Sequence, residues 1–231
     1  MTIEINTQAK VDMRRVGRDG HPLLVIDDFL LNPEEIVDFA ANAAFGPPRV
    51  PAYPGVNAEL PEGYLPTVFH TLRSSFARGF GLAPETPVHV TGFLALATLP
   101  LEQLQPRQRI PHYDFIVPGN LAVLHYLGKA PGGGTGFFRH DATGFELVDA
   151  GRRESYGEHV DRELAQAGDR LNSFTGPNTP NYTLLDQVEA KFNRLVVYRS
   201  ACLHCALFDG AQLSNDPRTG RLTANTFVLM K

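Results

Sequence analysis

The amino-acid sequence predicts a mainly β fold, a sandwich or barrel of short strands, with helices on its N-terminal side and a polar insertion late in the chain. Three observations carry this. From Val88 onward, short apolar runs alternate with Gly and Pro, the texture of many short strands joined by turns. Before that point, two stretches repeat apolar residues at helical spacing. Residues 149–190 are polar and charge-rich, unlike the runs on either side.

A chain of 231 residues fits one domain around a single core. Its parts are an N-terminal strand, helices and loop over 22–81, a β core over 88–230, and the insertion over 149–190. Leu23-Leu24-Val25-Ile26 reads as a buried strand. Asn32 suits a helix N-cap, Pro33 the first helical position, and Glu34 and Glu35 the positive helix end. They predict a helix from about Pro33 to Phe45, with Ile36, Val37, Phe39, Ala40 and Ala43 as its apolar stripe. Residues 46–66, rich in Pro and Gly, read as an ordered loop, and a second helix spans about Leu65 to Phe80. Candidate strands are Val88–Thr98, His112–Val117, Ala122–Leu127, Gly136–His140, Arg194–Arg199, Cys205–Phe208 and Leu222–Met230. Gly132 to Gly134 read as a hairpin turn needing positive φ, since no helix follows to make a phosphate cradle. The insertion carries a short helix and then a loop.

Composition narrows the partners. The net charge is −4 with basic residues scattered, which argues against nucleic acid or an anionic membrane. The polar first residues show no signal peptide, and no apolar run approaches the ~20 residues that span a bilayer. A soluble, cytoplasmic protein is expected. Cys202 and Cys205 have C-x-x-C spacing but lie in an apolar run without a helix opening, so they read as ordinary buried thiols in a reducing compartment.

The chemistry lies elsewhere. Pro111-His112-Tyr113-Asp114 begins a strand-like run, and residues two apart on a strand share a face, so His112 and Asp114 can aim at one ion. The same H-x-D pattern recurs at His159 and Asp161, but in the charged insertion, where helical spacing turns the two side chains apart; that pair reads as solvated surface. A His and a carboxylate from one strand plus a distant His make the two-histidine, one-carboxylate triad of non-haem iron(II) oxygenases, which leaves open positions on an octahedral ion. His204 is the distal candidate. Alone it would be a core histidine, as Arg221 alone would be a surface charge and Tyr126 alone a core residue.

The surroundings of His112 separate the two copies. Tyr126-Leu127-Gly128, Gly133-Gly134-Thr135-Gly136-Phe137, Asn193-Arg194-Leu195-Val196-Val197-Tyr198, His204 and Arg221-Leu222-Thr223 follow in order. This order over about Val88 to Met230 resembles the prolyl-hydroxylase-like branch of the iron(II)/2-oxoglutarate-dependent oxygenases. The resemblance implies a double-stranded β-helix (jelly roll) with Fe(II) held between its sheets by His112, Asp114 and His204. It implies Arg221 on the far carboxylate of 2-oxoglutarate, gripped through a guanidinium fork, with Thr223 and Tyr126 as supporting hydroxyls. Iron(II), 2-oxoglutarate and O2 would then hydroxylate a substrate C–H, with succinate and CO2 as co-products. An intact carboxylate at Asp114 argues against halogenation.

The sequence departs from the pattern in two places. Arg221 lies 17 positions after His204, with Asp209 to Gly220 as an extended turn and Arg218 as a weaker substitute for Arg221. Gly128 stands where the family usually has Asn. Two other functions remain: a zinc hydrolase, which would need a general base that the absent H-E-x-x-H signature does not supply, and a metal-binding jelly-roll module without turnover. The substrate, an amino-acid-like small molecule or a peptide side chain, stays open. The pocket mouth is expected from residues 50–61 and 149–190, with Tyr53, Asn57, Arg139 and His140 as lining candidates. His125 and His140 are expected to be structural or substrate-facing.

Overall fold

The computed structural model describes residues 1–50, 52–129, 132–208 and 213–231. Among them are ten strands in two antiparallel sheets and three α-helices. The strands are β1 (Lys10–Val16), β2 (His21–Asp27), β3 (Gly55–Ala58), β4 (Val88–Ala97), β5 (Leu121–Tyr126), β6 (Thr135–His140), β7 (Tyr182–Val188), β8 (Arg194–Arg199), β9 (His204–Ala206) and β10 (Arg221–Met230). The larger sheet runs β1-β2-β8-β5-β10-β4-β3 and the smaller β7-β6-β9. No helix is long and apolar enough to cross a membrane.

Strand alternation sorts the larger sheet's side chains into two layers. One face sends Leu24, Ile26, Val123, Val197, Leu222 and Ala224 against the helices α1 (Pro33–Ala41) and α2 (Tyr64–Phe80), through Ile36, Val37, Val68, Leu72 and Phe76. The other face sends Val25, Phe93, Ala95, Leu124, Tyr126, Val196 and Phe227 toward Phe137 and Val188 of the smaller sheet. Behind the smaller sheet, Phe138, Tyr182 and Cys205 pack on Tyr156 and Val160 of α3 (Arg153–Ala167). Central strands are therefore covered on both faces, which is why β5 and β8 read as unbroken apolar runs.

Several expectations change. α1 stops at Ala41, where Asn42 donates back to Phe39 and Ala40. Asn32 makes no side-chain cap bond; it holds the N-terminal segment instead, accepting from Glu4 N (3.2 Å) and donating to Thr2 O (2.8 Å). The Pro-rich loop contains β3, where a Cβ on Gly55 would meet Leu96 O at 2.0 Å, so only glycine lets the strand approach β4. His112–Val117 forms no strand; His112 makes one bridge to His204. Within 149–190 the helix is α3, but residues 182–188 form β7 at the edge of the smaller sheet, so the insertion ends before them. Gly132 and Gly133 take positive φ, 84° and 81°, as the turn requires. The extended turn expected over 209–220 lies partly outside the described residues.

Candidate metal centre and its cavity

Backbone pairing sets the centre. His112 N donates to His204 O (2.9 Å) and His204 N to His112 O (2.8 Å), which fixes the two imidazoles side by side with ring centroids 4.5 Å apart. Asp114 N donates to Ser200 O (2.8 Å), turning the carboxylate back toward the pair. His112, Asp114 and His204 thus each offer a ligand atom, and these atoms all lie within 4.8 Å of one another. His159 and Asp161 do not join them: His159 Nδ1 bonds Ser155 O on α3, and Asp161 pairs with Arg107.

The protonation states decide what this cluster can hold. His204 Nδ1 lies 2.9 Å from Cys202 O, a carbonyl that can only accept, so Nδ1 carries the proton and Nε2 presents a lone pair. That lone pair faces Asp114 Oδ2 at 3.5 Å. Burial pushes His204 down to about 4, so it is neutral at pH 7 and this contact is no ion pair. His112 is lowered too, by burial in the concave wall and then by His204, although its side chain keeps 51% exposure and is the most hydrated of the three. Burial raises Asp114 to about 6, still ionised at pH 7. The His204 lone pair and the Asp114 carboxylate converge beside a His112 ring whose basicity burial lowers, an arrangement that a cation stabilises.

The cluster opens on a cavity of about 240 Å³ between the sheets, lined among others by Tyr53, Phe93, Phe115, Thr135, Tyr198, Arg221, Asn225 and Phe227. Arg221, 7% exposed, begins β10 and donates from Nε to Gly133 O at 2.6 Å; its guanidinium carbon lies 5.7 Å from the Tyr126 ring centroid and 5.5 Å from that of Phe208. The glycine turn therefore aims two carbonyls at Arg221, Gly133 O at Nε and Gly134 O 3.4 Å from Nη2, holding the guanidinium at the cavity edge with its remaining N–H groups to offer.

The other candidates divide. Tyr126 does not line the cavity; its hydroxyl bonds Thr135 Oγ1 at 2.6 Å, so Thr135 presents the hydroxyl there. Thr223 shares the cavity face of β10 but is fully buried, with Oγ1 3.5 Å from Ala95 O. Tyr53 lines the cavity with a buried hydroxyl that has no partner among the described residues, and burial pushes it up to about 12, so it stays protonated. Asn57 is turned to its own loop, accepting from Arg49 N at 2.8 Å. Arg139 and His140 are absent from the lining; His140 bonds Glu163 at 3.0 Å and Thr143 at 2.9 Å, tying β6 to α3. His125 bridges Tyr64 (2.9 Å) and Asn193 (3.2 Å) on the helix side of the larger sheet. No described residue of 149–190 lines the cavity, because α3 backs the smaller sheet. Sequence reading missed Thr135 and Asn225 as lining residues.

A second His and carboxylate cluster, Asp19, His21 and Glu146, lies at the β1–β2 turn. Buried Glu146 accepts from Arg18 N (3.0 Å) and Asp19 N (3.1 Å), so its carboxylate already serves as a clamp on that turn.

Fold and centre together define a two-sheet β protein with a two-histidine, one-aspartate cluster in an internal cavity. Over residues 7–228 the chain matches the family described as Family of unknown function (DUF6445), and it belongs to that family. No curated protein and no solved structure matches it.

Proposed function

We infer that this chain is a non-haem iron(II)- and 2-oxoglutarate-dependent oxygenase that hydroxylates a small molecule or a peptide side chain. The observation that carries the reading is the convergence of the His204 and His112 imidazoles with the Asp114 carboxylate, with His204 presenting Nε2 as a lone pair. What supports a jelly roll is that β8-β5-β10-β4 of the larger sheet stands across the cavity from the three strands β9-β6-β7, which the single bridge at His112 extends by one residue. Arg221 supplies N–H donors for an anionic co-substrate in the same cavity. Buried, unbridged Cys202 and Cys205 fit a cytoplasmic setting.

When bound, iron(II) with 2-oxoglutarate supplies the oxidising chemistry. The protein's part is positional. His112, Asp114 and His204 would hold the metal, and the Cys202 carbonyl keeps the His204 lone pair aimed inward. Arg221 would grip the far carboxylate through its free N–H groups, with Thr135 as a neighbouring hydroxyl. The Phe93, Phe115 and Phe227 wall makes that side of the cavity apolar. No glutamate lines the cavity among the described residues, which disfavours a zinc hydrolase needing a nearby general base. The test is turnover: purified protein with iron(II), O2 and 2-oxoglutarate should form succinate, and zinc should not replace iron. Hydrolytic activity with zinc and no succinate with iron would overturn the reading.

A further inference from the structure

The exposure of the residues that line the cavity shows where it opens. Arg107 and His112 keep 58% and 51% of their side chains in water, and Val50 and Ala52 are exposed as well, whereas Arg221 is 7% exposed. His112 thus opens on the same rim as Arg107, and Arg221 lies at the closed end. Packing agrees: Tyr113, next to His112, stands 6.0 Å from Tyr156 of α3 between ring centroids, and Asp161 of the same helix pairs with Arg107.

Arg107 is carried on a pinned turn, the short 3-10 helix Pro106–Arg109. Gln108 accepts from Gln105 N (2.8 Å) and donates to Ala52 O (3.1 Å), tying the turn to the lip at Ala52. Arg109 commits its guanidinium to the carbonyls of Leu101 (3.0 Å), Leu104 (2.8 Å) and Leu171 (2.7 Å). Arg107 makes no such backbone bond. Its partner among the described residues is Asp161, reached from Nη2 alone, and that carboxylate is 69% exposed. An exposed ion pair contributes little and is screened by salt, so an incoming anion can replace it.

The charges in the cavity point the same way. Among the described residues, its lining carries three charged side chains besides the histidines: Asp114, Arg221 and Arg107. A divalent metal on Asp114 leaves one positive charge, and a dicarboxylate on Arg221 leaves one negative, so these cancel. Arg107 remains, an accessible cation at the mouth whose planar fork matches a carboxylate. The rest of the lining is mostly apolar, and a few placed polar groups in such a wall set what a pocket takes.

We propose that Arg107 anchors the oxidised substrate by a carboxylate, which takes the place of Asp161 and leaves the apolar body of the molecule to enter the cavity. This rests on the oxygenase reading and narrows its substrate to carboxylate-bearing apolar molecules, whether a free acid or an acidic side chain in a peptide.

The test uses phenylacetate, hydrocinnamate and phenylbutyrate, each beside its neutral primary amide, so that no single reach is assumed. Ligand-observed NMR titration follows their binding to the anaerobic, iron(II)-loaded protein. Saturating 2-oxoglutarate keeps the probes off Arg221. The best carboxylate should bind about tenfold tighter than its amide, the strength of a charge-assisted bond. Arg107→Gln should erase that preference and keep the amide's affinity, which also checks folding. Asp161→Asn removes the competing carboxylate and should tighten the acid about two- to fivefold while leaving the amide unchanged; a merely structural pair would not give that gain. Arg107-dependent binding of a capped Ala-Phe-Glu-Ala peptide assigns a peptide substrate, and its failure beside binding of the acids assigns a free small molecule. Equal affinities of acid and amide in wild type, a preference that survives Arg107→Gln, or no binding of any probe at millimolar concentration would overturn the anchor. Iron and 2-oxoglutarate titrations on the same samples keep the questions apart. Their failure with the Arg107 preference intact removes the oxygenase reading alone, and their success without that preference removes the anchor alone.

Discussion

At the scale of the residue, the account rests on which atoms carry protons. His204 is committed by the Cys202 carbonyl to present Nε2, and burial keeps it neutral. Replacing His112, Asp114 or His204 with Ala should therefore abolish stoichiometric iron(II) binding, whereas His159→Ala and Asp161→Ala should not change it. Metal analysis after anaerobic loading and desalting checks this; full iron occupancy in His204→Ala would remove it from the ligand set. The thiols give a second test. Burial pushes Cys202 up to about 12 and raises Cys205 as well. Since only a thiolate reacts readily, neither should be alkylated at pH 8 in the folded protein, and both should react in denaturant. Mass spectrometry reads the outcome, and rapid labelling of the native chain would contradict it. The spacing of His112 and Asp114 was legible in the sequence because two residues apart means one side. That same-side reading survives without a strand, since the bridge to His204 and the Asp114 bond to Ser200 do the aiming. Asn225 was not legible: an amide in an apolar strand reads the same whether it meets a partner or none.

At the scale of the element, what could be read depended on how many faces each segment buries. β8 was legible from Arg194 to Arg199 because helices cover one face and the cavity layer the other. β1 was invisible because it is a charged edge strand held to β2 by backbone bonds, in which Val11 and Met13 stay exposed and four charged residues mask the pattern. β7, at the edge of the smaller sheet, was hidden because its half-buried Tyr182–Val188 follows directly on a long polar stretch. The junction of β2 and β8 carries a measurable ion pair. Arg194 donates from Nε (2.6 Å) and Nη2 (3.0 Å) to Asp27, with Lys191 at 3.2 Å, and these bonds, Arg194 first, hold the Asp27 carboxyl below its usual range. A depressed carboxylate contributes stability that is present above the unfolded value and lost as pH falls through the folded one. Asp27→Asn should lower unfolding stability at pH 7 by about 1–2 kcal/mol, and the gap should close as the pH is taken below about 4. Urea unfolding at both pH values decides it, and an equal gap at pH 3 would show that the pair is not its source.

At the scale of the whole molecule, two sheets enclose a cavity whose ends differ in chemistry. One end carries Arg221 and Thr135, the metal cluster stands on the smaller-sheet side, and Phe93, Phe115 and Phe227 wall the rest. The order of elements around the cavity follows from strand pairing that the sequence signalled only in its central strands. The central claim is that Arg221 and the metal cluster act on one molecule. Calorimetric titration of 2-oxoglutarate into the anaerobic, iron(II)-loaded protein tests this most directly, with Arg221→Ala and Arg221→Lys beside wild type. Loss of one partner from a buried, bidentate charge pair costs about 3–5 kcal/mol, so Arg221→Ala should weaken binding by about a hundredfold or more while iron stays bound. Arg221→Lys should recover only part, since a point charge cannot reproduce the fork. One-to-one binding in wild type with that loss is the predicted result. Undiminished affinity in Arg221→Ala, or no binding by the iron-loaded wild type, would contradict the account.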